Sequence, residues 1–357
     1  MEETGNNELL RKKLYLSDRI AKFLITSIAV ISFVSIALIF VFIFREALPI
    51  FSYSAEIESY REEELEMESY GEEHIEIERS DQGASINNNQ FDQFGNEKDK
   101  LKLKSIWENI FSTVWEPISN NPRYGIIPLV IGSFKVTLIA ILIAAPISIL
   151  AALFTSTFAP RWAREIMKPA IEILAGFPSV VIGFFALVVL ATFLQDVFGY
   201  KYRLNAFVGG VALSLAVIPI IYTVTEDALS AIPKSYIEAS YALGAEKWQT
   251  ALYVVLPAAA PGIFAAVLLG IGRAFGETMI VLMATGNAPI LSASLIDPVR
   301  TMSATIGAEM AEVIFGDLHY NVLFLLGSIL FLFSFTLNAI AEFYVRNRLL
   351  RRIGGTK

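Results

Sequence analysis

In the stretch LLGIGRAFGETMIVLMATGN, two charged residues, Arg273 and Glu277, interrupt a run that is otherwise apolar. On insertion scales an ion at a bilayer centre costs about 3 kcal/mol, so such residues face a partner or a watery path. Four residues apart on one helix, the two would share a face. A guanidinium is planar and permanently charged, and its fork matches the oxygens of a tetrahedral oxyanion. A neighbouring carboxylate would keep that binding weak enough for release, or accept a hydrogen bond from a protonated anion. The competing reading is mutual neutralisation, although a purely structural buried pair is usually replaceable by apolar residues without loss. Gly272 and Gly276 form a small-xxx-small pair nearly on the same face, which predicts close approach of another backbone. Two other charges in apolar runs have plainer readings: Lys135 snorkels from the outer end of the second span, and Glu172 complements the N-terminus of the third.

The second constellation is polar. Glu226 to Leu256 reads EDALSAIPKSYIEASYALGAEKWQTALYVVL, too polar to cross a membrane yet helical in pattern. Ser235 and Glu238 have the spacing of a capping box that opens a short helix. Gly244 is placed to end it as a C-cap, and a further helix from about Glu246 is expected to stop before Pro257. A loop that cradles nucleotide phosphates needs the pattern GxxxxGK followed by Ser or Thr, and the chain has no such string. The chain reads as a conduit rather than an enzyme, and any ATP-derived energy comes from a partner. With no cysteine, disulfides and thiolate chemistry are excluded. His74 and His319 fall in expected loops without ligand-spaced neighbours. Neither a metal, a cofactor nor nucleic acid is expected.

These residues must be positioned by a chain of 357 residues that is 55% hydrophobic and only 18% charged. Its apolar residues gather into long stretches, so lipid is the first partner and the fold class is all-α, a polytopic membrane protein. Six spans are expected: about 22–44, 126–158, 171–194, 206–224, 258–284 and 320–344. The first is long for a signal peptide and is read as an uncleaved anchor. Arg11, Lys12, Lys13, Arg19, Arg161, Arg164, Lys168, Arg346, Arg348, Arg351 and Arg352 then fall on one side, which predicts that both termini are cytoplasmic. The expected organisation is a cytoplasmic N-terminus at 1–21, a first span at 22–44, an extracytoplasmic acidic insertion and re-entry segment at 45–125, a five-span core at 126–345 and a basic tail at 346–357.

Charge is unevenly spread. Residues 54–100 hold 15 acidic and 4 basic side chains, so −7 for the chain and −11 for this segment leave +4 for the remainder. Composition favours a flexible, solvated insertion over a small folded element. Ser105 to Trp115 places Ile106, Trp107, Ile110, Phe111 and Trp115 at helical spacing, either along the interface or packed on the core. Thr285 to His319 reads as a structured outer loop, part of which dips toward the membrane.

Glu238, Ala239 and Ser240, then Gly244, then Val254, Leu256 and Pro257 follow the spacing of the EAA signature, with Ser for the third Ala and Val for Ile. By this the chain resembles the inner-membrane permeases of type I ABC importers. The resemblance implies a MetI-like permease fold, and it implies that Glu238, Ala239, Gly244, Leu256 and Pro257 couple the chain to an ATPase. The strings IEILAGFPSVVIGFF, EDALSAIP, GRAFGETM and PVRTMSATIGAEM, with DRIAKF and REALPIF, are similar to the PstC-type branch of phosphate permeases. That likeness implies a role for Arg273 and Glu277 in phosphate passage. It also implies four kinds of partner: a PstA-type second permease, two PstB-type cytoplasmic ATPase subunits, a PstS-type extracytoplasmic phosphate-binding protein and the lipid of the cytoplasmic membrane. Permeases for sulfate, molybdate or phosphonate, an ion-coupled carrier and a non-transporting scaffold are the alternatives.

Overall fold

A computed structural model of the chain describes residues 16–50, 109–119 and 122–353. The acidic insertion, the first fifteen residues and the last four lie outside them. Among the described residues, six helices are long and apolar enough to cross a membrane. Strand is confined there to a two-residue antiparallel ladder. Helices prevail because lipid offers backbone groups no partner, and a helix satisfies them within itself.

The elements run α1 (Leu16–Ala47), β1 (Trp115–Glu116) and β2 (Arg123–Tyr124), α2 (Ile127–Phe158), α3 (Arg161–Ala175), α4 (Ser179–Phe198) and α5 (Ala206–Ser230). They continue with α6 (Lys234–Ala242), α7 (Lys247–Phe275), α8 (Met279–Ala284), α9 (Met302–Glu309) and α10 (Leu318–Ile353). Wide π turns at Phe154–Phe158, Ala186–Leu190 and Ala251–Val255 lie within α2, α4 and α7.

The central core joins Val136, Ile139, Ala140 and Ala144 of α2 to Val208, Ala212, Leu213 and Val217 of α5, with Ala266 of α7 and Ile280 of α8. Small residues dominate because, without a hydrophobic drive between helices in lipid, close van der Waals contact must hold the bundle. A second core at one end gathers Trp115, Tyr124, Leu129, Phe275, Met302, Leu323 and Leu326. A third, at the other end, packs Leu153, Tyr222, Leu229, Ala251 and Val255. Against α10, α1 leans through the ring pairs Phe40–Phe331 at 5.1 Å and Phe42–Phe324 at 5.9 Å.

Several expected boundaries move. The third span starts at Ser179 rather than Ile171, because Gly176 closes α3 and Phe177 precedes Pro178, which disfavours helical backbone at that residue. What precedes it, α3, is a separate amphipathic helix with Trp162, Ile166 and Ile173 exposed. Glu172 therefore lies in the last turn of α3 and complements no helix start. The fourth span extends past Val224 to Ser230. The fifth ends at Phe275 with Gly276 as its cap, so Met279–Ala284 is a distinct short helix. At the far end α10 continues through the basic residues to Ile353. Trp115 is buried in strand rather than in a helix.

Candidate functional site

The corner at Gly244 is built as the sequence suggests and capped differently. Pro233 stands at the N-cap of α6 with no side-chain cap, so the Ser235–Glu238 box does not form. The box appears one helix later, where the Glu246 N–H donates to Gln249 Oε1 at 2.8 Å and opens α7. Gly244 has φ +84°, the left-handed region that costs a side chain about 1 kcal/mol or more. Its N–H donates to the Tyr241 carbonyl at 2.9 Å and the Ala245 N–H to the Ser240 carbonyl at 3.2 Å. Together these two bonds form a Schellman stop.

The two helices of the corner are tied by a buried hydrogen bond between the Ser240 and Thr250 hydroxyls, 2.9 Å apart. Sequence reasoning treated Ser240 only as a departure from Ala and passed over Thr250. Glu238, Ala239 and Gly244 are exposed, and so are Tyr236, Tyr241, Trp248 and Tyr253, while Leu243 at the tip is 89% exposed. The corner thus presents an apolar and aromatic knob flanked by the carboxylates of Glu238 and Glu246.

The helix after the corner does not stop before Pro257. It runs unbroken from Lys247 to Phe275. Proline lacks the N–H that an ordinary turn would use, and the π turn at Ala251–Val255 immediately ahead of it relaxes the register at that point. Leu256 packs on the third core. Pro257 and Leu256 also line an apolar groove of about 530 Å³ with Ile149, Ala260, Phe264 and Val267.

At the far end of the same helix stands Arg273, with its side chain 58% exposed. Glu277 lies beyond the helix cap, in the break before α8, so the pair does not share one helix face. The Arg273 Nη2 to Glu277 Oε2 distance is 3.9 Å, a loose ion pair between an open guanidinium and a buried carboxylate. Glu277 is held from two sides: the Thr278 N–H donates to its Oε1 at 3.2 Å, and the Ser303 hydroxyl of α9 donates to its carbonyl at 2.6 Å. Gly272 and Gly276 meet no other backbone within the described residues, and Gly272 faces the Asn338 amide instead. The break in the helix leaves Arg273 loosely tethered and open.

Above this break a second polar knot closes the end of the bundle. Glu309 of α9 accepts from Arg300 Nη1 and from Trp115 Nε1 at 3.2 Å on one oxygen, and pairs with His319 Nε2 at 3.0 Å on the other. Burial works to raise the Glu309 carboxyl, but the hydrogen bonds from His319 and Trp115 and the charge of Arg300 outweigh it and hold it below the ordinary carboxylate range. Burial, with Asp317 and Glu309 nearby, pushes the Tyr124 phenol up to about 12. His319 therefore sits in the first turn of α10 with a carboxylate partner, not in an empty loop. Lys135 spends its charge on the Ser292 and Ser294 carbonyls, at 2.5 and 2.9 Å, and pins the loop before α9. At the opposite end Lys168 of α3 meets Glu226 of α5 at 3.0 Å.

Comparison with known proteins supplies the lineage. A probable ABC transporter permease protein, YqgH, of Bacillus subtilis is 40% identical over 228 residues, covering 64% of this chain and 74% of that one. The phosphate transport system permease protein PstC of Mesorhizobium japonicum is 35% identical over 262 residues, covering 68% and 79%. The protein of that name from Xylella fastidiosa is 34% identical over 273 residues, covering 71% and 82%. The model of the binding-protein-dependent transport system inner membrane component matches residues 144–349. That match takes in the second half of α2 and everything from α3 into α10, including the Gly244 corner and the Arg273 break, and the chain belongs to this family of multi-pass transport permeases.

Proposed function

We propose that this chain is the PstC-type permease subunit of an ATP-binding cassette importer, that its cargo is inorganic phosphate, and that Arg273 and Glu277 lie on the cargo's path. One observation carries the reading: a single helix, α7, starts at an exposed apolar corner and ends at an exposed guanidinium. At about 1.5 Å per residue, its 29 residues span about 40 Å. The helix is continuous through its wide turn at Ala251–Val255, so movement at one end reaches the other.

In this reading the corner faces the cytoplasm, the side that the Lys and Arg flanks favour. Leu243 and the aromatic residues around it enter a groove of an ATPase subunit, with Glu238, Ala239 and Gly244 in the contact. The wide turn before Pro257, together with Leu256, sets the angle at which the corner joins the rest of α7. ATP binding closes the two ATPase subunits, the corner moves with them, and α7 carries Arg273 between outward and inward access. A second permease subunit of PstA type completes the path, and a PstS-type extracytoplasmic binding protein delivers the anion. Both termini lie in the cytoplasm of a cell whose inner membrane holds the complex.

The guanidinium supplies a charge-assisted fork for two phosphate oxygens. Glu277 draws Arg273 aside between cycles, so the anion is never bound tightly enough to stay. The relatives named for phosphate transport favour this cargo over sulfate, molybdate or phosphonate, which offer the same tetrahedral oxygens. The test is uptake by vesicles holding the complete complex. Arg273→Ala is expected to lower phosphate uptake at least tenfold with assembly intact. Parental uptake by Arg273→Ala would remove the site, excess sulfate or molybdate abolishing uptake where phosphate does not would remove the cargo, and ATP-independent uptake by the chain alone would remove the coupling.

A further inference from the structure

Resting on the reading of Arg273 as a phosphate ligand, we propose that Asn338 of α10 is a second ligand on the anion path, its carboxamide N–H donating to a phosphate oxygen while Arg273 holds the others. The packing of α7 and α10 places it there. Ala265, Leu268 and Ile271 of α7 close against Leu337 and Ala341 of α10, which sets the turn carrying Asn338 beside the turn carrying Arg273. Between them Gly272 has no side chain, and a Cβ built on it would stand 3.8 Å from Asn338 Oδ1. Bare backbone at Gly272 thus lets the exposed Asn338 amide pack one residue along the helix from the exposed Arg273 guanidinium.

Asn338 is an exposed carboxamide in the last span. Two hydroxyls of this span return to their own helix: Ser328 donates to the Phe324 carbonyl at 2.9 Å and Thr336 to the Leu332 carbonyl at 2.7 Å. A hydroxyl satisfied in this way is tolerated in lipid. A carboxamide carries two donors and an acceptor, more than its own helix satisfies, and an exposed one in a span of such hydropathy must meet water, a partner or cargo. Neutral amide donors suit a transported anion because they bind without adding a second charge that would trap it.

The test uses the assembled complex in vesicles with purified binding protein, labelled phosphate and ATP. Asn338→Leu, nearly isosteric and without donors, is expected to lower uptake about tenfold and to raise the ATP consumed per phosphate delivered. Asn338→Gln is expected to recover most of the loss, and Asn338→Asp, an anion at the same place, to stop uptake in an assembled complex. Parental uptake by Asn338→Leu, equal impairment of the Leu and Gln variants, or loss of subunit association in both the Leu and Asp variants would overturn the proposal, the last by making Asn338 a packing residue. Arg273→Ala is measured alongside. If that variant transports normally, the underlying site fails; if it is dead and Asn338→Leu is normal, only this inference fails.

Discussion

Ser240 and Thr250 share a buried hydrogen bond across the Gly244 corner, 2.9 Å between hydroxyl oxygens, and it is the side-chain tie between the short helix α6 and the long helix α7. If α7 is the rod that carries movement to Arg273, this bond decides whether the corner and the rod move together.

Removing one partner leaves the other buried and unsatisfied, which costs roughly 1–3 kcal/mol, whereas replacing both by apolar groups is close to neutral. Thr250→Val is therefore expected to loosen the corner and raise the ATP hydrolysed per phosphate delivered. Adding Ser240→Ala to it is expected to restore most of the coupling. A double variant as uncoupled as the single one would show that the hydroxyl pair matters for something other than mutual satisfaction.

Gly244 gives a backbone test of the same corner. A Cβ there meets open space, so a substitution acts through the left-handed φ of +84° alone. Gly244→Val is expected to cost about 1–2 kcal/mol at the corner and to weaken retention of the ATPase subunit on affinity purification. Leu243→Asp, which leaves the backbone alone and charges the exposed tip, is expected to weaken retention further. Undiminished retention by both variants would place the ATPase contact elsewhere.

Much of this site was legible because it is local. The spacing from Glu238 to Pro257 fixes a helix, a left-handed stop and a second helix, and Gly244 does what its residue type allows. What the sequence did not disclose is non-local or depends on competition between caps. Ser235–Glu238 satisfies the capping-box pattern as well as Glu246–Gln249 does, but Pro233 already sets the entry to α6 and the box forms only at α7. Arg273 and Glu277 read as one helix face because four-residue spacing does not reveal a helix end. The end becomes visible only where Ser303, twenty-six residues on, takes the Glu277 carbonyl. His319 looked solitary because its partner Glu309 and the donors Arg300 and Trp115 come from three other elements.

That knot predicts a pH response. The Glu309 carboxyl is held below its unfolded value, so the folded state gains stability from it above the ordinary carboxylate pKa of about 4.3. The gain is lost as pH falls through the depressed folded value, when protonation removes the acceptor that Arg300 and His319 share. Between pH 7 and 5 this group adds no slope of its own. Glu309→Gln is expected to cost roughly 1–3 kcal/mol at pH 7 by leaving the Arg300 guanidinium without its counter-charge, and to flatten the acid limb of the stability profile below about pH 4. Thermal unfolding of the detergent-solubilised complex from pH 3 to 7 measures both, and an unchanged acid limb in the variant would dismiss Glu309 as its source.

Arg273 and Glu277 separate charge from geometry. Arg273→Lys keeps the positive charge but replaces a planar fork by a point charge on a flexible four-carbon stem. If the fork binds two phosphate oxygens, uptake by Arg273→Lys is expected to fall about tenfold, most of the way toward the alanine variant. Glu277→Gln keeps the shape and removes the charge that draws the guanidinium aside at 3.9 Å. The anion then competes with nothing for Arg273, so phosphate is expected to dwell longer and turnover to fall even as binding to the complex tightens. Equal weakening of binding and turnover by Glu277→Gln would assign the carboxylate to positioning Arg273 rather than to releasing its cargo. The two variants together thus distinguish a fork opposed by a release group from a pair that only neutralises itself, in which case both would transport like the parent.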